Sequence, residues 1–357
     1  MSFELFQLSD KKKWNSILGK FHKKFQDVYF TPEYFSLYQK NGDGIANCFF
    51  YNSRFGKVIY PFIKNSINQL GYKLKKQYFD IQGVYGYNGC IYSNLSDNLI
   101  NDFHKEFNKY CKENNIVSEF VRFHPIIKNH LFSKKHMRIQ FNRKTIYLDL
   151  NQTYEKIFNF EYSSNNRNMI RKGKKSLYVE ISKDRKDFDL FRKNYLNTMK
   201  KINSKKYYLF SAKYFAGFLQ DLKTQTYVLN IYSLNKKIQN SMILLINGDY
   251  AHYHLSGRSK NCTINASNNL MLDEAIKFAQ KKRCKYFHLG GGSTIEGNDT
   301  LLKFKSNFSK TKLDFYIGSR IHNKKIYDSI CNIWDKKNPN LKDKMANYNF
   351  KYRQIDA

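Results

Sequence analysis

Asn268-Asn-Leu-Met-Leu-Asp-Glu-Ala-Ile-Lys-Phe-Ala-Gln-Lys-Lys-Arg-Cys-Lys-Tyr-Phe-His-Leu-Gly-Gly-Gly292, followed by Leu301-Leu-Lys-Phe-Lys-Ser-Asn-Phe308, is the stretch on which the fold turns. Apolar Met271, Leu272, Ala275, Ile276 and Ala279 recur at three- and four-residue steps, so the spacing predicts an amphipathic helix over 268–282. Ser267 or Asn268 can cap its first amides, Asp273 and Glu274 lie early, and Lys281, Lys282 and Arg283 sit where the helix dipole is negative. The apolar run Tyr286 to Leu289 then reads as a buried strand halted by three glycines. The triplet lacks the G-x-x-x-x-G-K-[ST] spacing of a P-loop and the G-x-G-x-x-G of a dinucleotide fold, so neither phosphate cradle is indicated.

A chain of 357 residues can bury a large core, and two domains are the natural division. With 41% hydrophobic and 17% aromatic residues the composition is that of a globular protein. The formal net charge of +33 creates a field that favours polyanions: tRNA, nucleotide-linked sugars, coenzyme A or an anionic membrane. An AT-rich coding composition, which also enriches Lys, Asn, Ile, Tyr and Phe, accounts for part of that excess without any ligand. Cys48, Cys90, Cys111, Cys262, Cys284 and Cys331 form no C-x-x-C pair, so neither a zinc site nor a disulfide framework is expected. The N-terminus has no signal-peptide core and no run reaches the ~18 apolar residues of a membrane span. The expectation is a cytoplasmic protein, with peripheral contact at the inner membrane face as its membrane association.

Working outward, Thr31-Pro-Glu-Tyr-Phe reads as a capped helix start, and the runs 46–51 and 57–63 as a hairpin. In Tyr78-Phe-Asp-Ile-Gln-Gly-Val-Tyr-Gly-Tyr-Asn-Gly89 aromatics alternate with glycines, so the backbone turns sharply beside large rings. A helix is expected over 97–113. In the strand after it, alternation puts Phe120, Arg122 and His124 on one face and Glu119, Val121 and Phe123 on the other. A strand pair, 138–141 and 144–150, precedes the domain boundary, placed at residue 150. The second half opens with a basic helix, Ser163 to Lys175, in which Arg167 and Arg171 share a face. On the strand Tyr250 to Ser256, His252 and His254 point the same way; no carboxylate or thiol at matching spacing completes a metal site. His254 is a candidate for proton transfer. Ile326, Ile330, Ile333 and Trp334 share a helical face expected to close the second domain.

The helix, strand, glycine turn and Leu301-Leu-Lys-Phe-Lys-Ser-Asn-Phe308 segment, in that order, resemble the second domain of the Fem family, the peptidoglycan bridge-forming aminoacyltransferases. They equally resemble the two-domain GNAT-superfamily acyltransferases encoded with surface polysaccharide genes. Asp80, Ile81, Tyr85, Gly86, Tyr87 and Gly89, and the Arg-Phe-His-Pro of Arg122 to Pro125 with Asn129, are similar to first-domain elements of the latter. The resemblance implies an α/β (α+β) fold of two tandem GNAT-like domains, 1–150 and 151–357, each a mixed, mostly antiparallel sheet flanked by helices. It implies substrate contact by Tyr85, Tyr87, Arg122, His124, Arg167 and Arg171. Phe304 and Lys305 would lie at the reacting centre, with Lys305 stabilising charge on the carbonyl oxygen and Lys303 the alternative; Asn269, Gly290, Gly291 and Gly292 are the candidates for donor contact.

The implied activity is N-acyl or aminoacyl transfer onto the amine of a nucleotide- or lipid-linked amino sugar in surface polysaccharide biosynthesis. Such transfer needs a neutral amine, a donor carbonyl held in line and a cation or hydrogen-bond donor where negative charge develops, but no metal and no covalent nucleophile. Acyl-CoA is the expected donor, although Asn261-Cys-Thr-Ile-Asn-Ala-Ser267 lacks the glycines of a usual pyrophosphate loop. Aminoacyl-tRNA with a peptidoglycan precursor as acceptor is the alternative, and a noncatalytic, basic nucleic-acid-binding protein is the competing class.

Overall fold

The computed structural model describes residues 2–294 and 299–354. The chain forms two compact units, one of Met1–Phe25, Tyr29–Asn142 and Phe315–Ala357, the other of Gln26–Val28 and Arg143–Asp314. The unit limits therefore differ from the expected division at 150: the crossover falls at 142/143, and the C-terminal residues from Phe315 cluster with the first unit.

The strands in chain order are β1 (Ser2–Phe6), β2 (Ile45–Ser53), β3 (Gly56–Ser66), β4 (Phe79–Gln82), β5 (Ile91–Tyr92), β6 (Ile116–Arg122) and β7 (Arg138–Asp149). They continue with β8 (Leu177–Ser182), β9 (Thr226–Ser233), β10 (Ile238–Asn247), β11 (Tyr250–Arg258), β12 (Tyr286–Gly291) and β13 (Lys312–Ile321). The expected strand pair 138–141 and 144–150 is the single strand β7, because neither Asn142 nor Arg143 adopts the positive φ that a two-residue hairpin turn requires.

In the first unit the strands lie in the order β1-β2-β3-β4-β6-β13, with β5 on β3. All these pairs are antiparallel except β4 with β6, which are parallel and joined across the Asp97–Glu113 helix. In the second unit the order is β7-β12-β11-β10-β9-β8, again antiparallel except for one pair, β11 with β12, joined across the Ser267–Lys281 helix. Each unit is thus a mostly antiparallel sheet carrying one parallel pair with a helical crossover, the connection that parallel strands require. That is the expected α/β class. The repetition leaves no trace in the sequence because either unit fills the pattern with different residues.

Met271, Leu272, Ala275, Ile276 and Ala279 are fully buried in the second unit's core with Phe287 and Leu289. Their helix begins one residue earlier than its spacing suggests and has no side-chain cap; the Ser267 hydroxyl instead accepts from Asn240 Nδ2 at 2.5 Å. The Lys324–Lys337 helix buries Ile330, Cys331 and Trp334 against Ile67 and Val117 of the first unit. Behind it Arg353 grips Asp80 with two hydrogen bonds, Nε at 2.7 Å and Nη2 at 2.8 Å, and the Tyr352 hydroxyl donates to Asp80 at 2.8 Å. A buried carboxylate needs such partners. This clamp is the physical reason why the C-terminal segment closes the first unit and not the second. In the second unit, His252 Nε2 lies 2.8 Å from Asp27, which ties the Gln26–Val28 segment to β11.

Candidate active site

The parallel ladder between β11 and β12 runs over Tyr250–His252 and Tyr286–His288. Both strands continue beyond it, and β12 also shifts register against β7 between His288 and Gly290. Gly290 has φ +79°, a conformation that side chains disfavour. The glycine run therefore re-aims the backbone as the strand ends.

The Thr300–Ser306 helix stands against this turn. Asp299 caps it, accepting from Leu302 N at 2.7 Å, while its other oxygen accepts from Thr294 N at 2.6 Å and the Ser293 hydroxyl at 2.8 Å. Burial opposes ionisation of Asp299, but these donors outweigh it and hold its carboxyl well below the usual carboxylate range. A Cβ on Gly292 would lie 2.5 Å from Asp299 Cγ, so only glycine leaves room for this cap.

From that helix Lys305 turns inward. It is 7% exposed, its Nζ donates to Gly291 O at 2.7 Å, and the ammonium lies 5.6 Å from the centre of the Tyr253 ring. Burial lowers its pKa to about 7; Asp299 pulls it back up and Arg143 adds to the fall. Arg143 Nη1 donates to Gly292 O at 2.7 Å. Two basic side chains thus donate to consecutive glycine carbonyls at the end of a strand. An ammonium has three N–H donors, and Gly291 occupies one of Lys305's.

Of the other residues singled out in this unit, Lys303 is exposed, so Lys305 is the lysine on the glycine turn. Phe304 packs on the core and meets Phe308 edge-on at 5.6 Å. Asn269 donates to Asn166 Oδ1 at 2.7 Å, and Asn166 donates to Asn307 O at 3.0 Å, so Asn269 braces the helix that carries Lys305. Arg167 caps backbone carbonyls, Tyr162 O at 2.5 Å and Asn159 O at 3.2 Å, whereas Arg171 is exposed, over the Phe158 ring at 5.4 Å. His254 is buried, its Nε2 3.4 Å from the Tyr214 hydroxyl. Burial and the neighbouring His252 push its pKa down to about 3, so near neutrality it stays unprotonated and is ill-matched to proton transfer.

In the first unit the aromatic-glycine motif is built as a lock. Asn129 accepts from His124 N at 2.9 Å and donates to Asn88 O and Cys90 O at 2.9 and 3.2 Å. His124 is fully buried and its Nδ1 accepts from Ile127 N at 3.2 Å. Gly86, at φ +97°, leaves space for the Tyr29 ring, which a Cβ would meet at 2.3 Å. Tyr87 is 7% exposed, its ring 5.3 Å from His124, and Tyr85 takes a hydrogen bond on its carbonyl from Tyr34 at 2.8 Å. These contacts give His124 and Tyr87 a packing role. Arg122 is half-buried and lies 5.5 Å from the Phe120 ring.

Among the described residues one thiol, carboxylate and imidazole group together, Cys111, Glu119 and His322, with ligand atoms within 4.8 Å. His322 Nε2 and Glu119 Oε2 are 2.6 Å apart. Tetrahedral ligands each about 2 Å from zinc stand more than ~3 Å from one another, so this is the spacing of a direct hydrogen bond.

Sequence reasoning missed Arg143, Asp299 and Tyr253. Asp299 was detectable as a cap three residues before Leu302; Arg143 and Tyr253 reach the turn only through strand pairing.

No family model and no curated protein matches the sequence. Solved structures do match. FemX superposes with a TM-score of 0.67 at 12% identity, over 92% of this chain and 100% of its own. L-PGS from Bacillus licheniformis gives 0.54 at 12% identity over 87% of this chain and 92% of its own. A conserved protein of unknown function from Bacteroides thetaiotaomicron gives 0.55 at 13% identity, covering 89% and 99%. At these identities the likeness shows the fold alone, a FemX-like one.

Proposed function

We infer that the chain is an N-acyltransferase whose reacting centre lies at the Gly290–Gly292 turn, with Lys305 as the group that meets negative charge on the donor carbonyl oxygen. The observation that carries this reading is the burial of Lys305 on Gly291 O, at the place where β11 and β12 cease to pair. A cation held out of water is worth more to a developing oxyanion than one in solvent, and its fixed position costs no reorganisation during the reaction. A neutral amine attacks the carbonyl carbon and the oxygen takes up the electron pair. Collapse then re-forms the carbonyl, expels the thiol of coenzyme A or the ribose hydroxyl of tRNA, and passes the amine's proton to it.

An amino sugar linked to a nucleotide or a lipid is the favoured acceptor and acyl-CoA the favoured donor, on the strength of the polysaccharide-cluster motifs in the sequence. The Fem-like fold supports the second reading, transfer from aminoacyl-tRNA to a peptidoglycan precursor. Arg171, exposed on the second unit's basic helix, would suit a phosphate of either acceptor.

The test is direct. Purified protein is incubated with acyl-CoA and a panel of nucleotide-linked amino sugars, and amine-dependent thiol release is followed; charged tRNA replaces acyl-CoA in a parallel series. Release that requires both chain and amine supports the first reading, and transfer only from tRNA supports the second. Silence with both donors, together with steeply salt-dependent binding of arbitrary RNA, would return the chain to the nucleic-acid-binding class.

A further inference from the structure

The first unit carries an open cavity of about 490 Å³, within the range of small-ligand sites. It lies where the Lys11–Leu18 helix ends, beside the start of β3 and the loop that follows β5. Ile17, Phe21, Phe25, Tyr92 and Leu95 supply its apolar lining. Phe25 meets Tyr92 edge-on at 5.1 Å and Tyr92 stacks on Phe132 at 4.8 Å, so the floor is a packed aromatic wall. Leu95 is 48% exposed at its mouth.

The lysines of the lining give it charge of one sign. Lys20, Lys24 and Lys57 are exposed around the opening, no carboxylate among the described residues lines it, and Lys24 Nζ lies 4.8 Å from the Phe25 ring centre. His22 is exposed at the opening too, its Nδ1 accepting from Lys24 N at 3.2 Å, and the other polar side chains are committed to their own turn. Asn94 donates to Phe55 O and accepts from Ser96 N, both at 3.0 Å, and the Ser93 hydroxyl accepts from Lys57 N at 3.0 Å. A nucleotide's base would find its stacking face there but poor hydrogen-bonding partners for its edge. Hydrocarbon beside lysines, with its amides engaged, suits a molecule that is anionic at one end and apolar at the other.

We propose that this cavity seats an anionic phospholipid of a bilayer surface, its phosphate among Lys20, Lys24 and Lys57 and the first carbons of its chains against Phe21, Phe25 and Leu95. The overall charge of +33 draws the chain to such a surface from any side. The cavity adds what a diffuse field lacks, a place for hydrocarbon to enter. The site is independent of the acyl-transfer reading: it concerns where the chain docks, and its test involves no transfer.

Full-length protein is sedimented with vesicles of phosphatidylcholine alone, and with vesicles of equal parts phosphatidylcholine and phosphatidylglycerol. The wild type should bind only the second. Each lysine beside an anionic surface contributes about a fivefold change in affinity, so Lys20→Gln/Lys24→Gln/Lys57→Gln should bind about a hundredfold more weakly. Lys186→Gln/Lys193→Gln/Lys200→Gln, equal in charge change and exposed on the Arg185–Lys201 helix, should stay within a fewfold of wild type. Leu95→Ser, which changes no charge, should also weaken binding, and inorganic phosphate at the same anion concentration should not displace the protein. Unfolding midpoints equal to wild type keep the variants interpretable. Equal losses in the two triple variants would show a delocalised field, displacement by phosphate would show a simple anion site, and a silent Leu95→Ser would remove the hydrocarbon contact; each overturns the proposal.

Discussion

Replacing Lys305 with methionine should stabilise the protein at low pH and progressively less as pH rises. The lysine stem is buried and methionine fills similar space, so the main change is removal of a titrating group from the interior. In the folded chain burial lowers the Lys305 pKa to about 7, against 10.5 for an unperturbed lysine. Below both values lysine is protonated in the folded and unfolded states alike, and the full penalty of burying an ammonium is present. Between them the unfolded chain holds a proton that the folded chain lacks, so wild-type stability rises with pH, by at most ~1.4 kcal/mol per unit. Above both values the penalty is gone. Over the whole interval the gain is on the order of 5 kcal/mol, from which the lost hydrogen bond to Gly291 O takes about 1 kcal/mol of the variant's advantage. Urea unfolding of both proteins at a series of pH values from about 6 to about 10 measures this, because other titrating groups cancel in the difference. Lys305→Met should be the more stable by a few kcal/mol at the acid end, and the gap should close toward the alkaline end. A gap that does not vary with pH would mean that the ammonium is solvated in the folded state, and the electrostatic reasoning about this site would fail.

Gly292→Ala should cost about 1–3 kcal/mol of stability and most of the activity, because the new methyl would lie 2.5 Å from Asp299 Cγ; chemical denaturation and initial rates measure both. Asp299→Asn should keep the helix cap but remove the charge that raises the Lys305 pKa, so the alkaline limb of the pH–rate profile should move to lower pH. Arg353→Ala should destabilise by about 3–5 kcal/mol, since it leaves Asp80 buried without its guanidinium, and thermal unfolding should show the loss.

The helix before Cys284, the strand after it and their burial could be read from spacing, because apolar period and glycine punctuation are local properties. So could the cap at Thr31, whose hydroxyl accepts from Tyr34 N. The C-terminal segment could not be assigned. The apolar face of Ile330 and Trp334 says that the helix is buried, but only the pairing of Arg353 with Asp80, across 273 positions of sequence, says against what. The lysine of the glycine turn was legible through family resemblance, while its lowered pKa was not, since that depends on burial and on Asp299 and Arg143 nearby. His124 illustrates the opposite case. Alternation placed it beside Arg122 as a candidate contact, yet the chain leaves β6 after Arg122 and turns His124 into the interior, where it helps to hold the 83–90 loop.

The role of Lys305 is tested most directly by comparing Lys305→Ala with Lys281→Ala, an exposed lysine at the end of the preceding helix, in an amine-dependent transfer assay. If the ammonium acts only as negative charge develops on the carbonyl oxygen, its loss should lower kcat while leaving donor binding nearly unchanged. One such donor typically contributes on the order of 3 kcal/mol, about a hundredfold in rate. Lys305→Ala should therefore bind donor, remain folded and turn over about a hundred times more slowly, with Lys281→Ala close to wild type. Equal turnover in the two variants would contradict the assignment of Lys305 to the reacting centre.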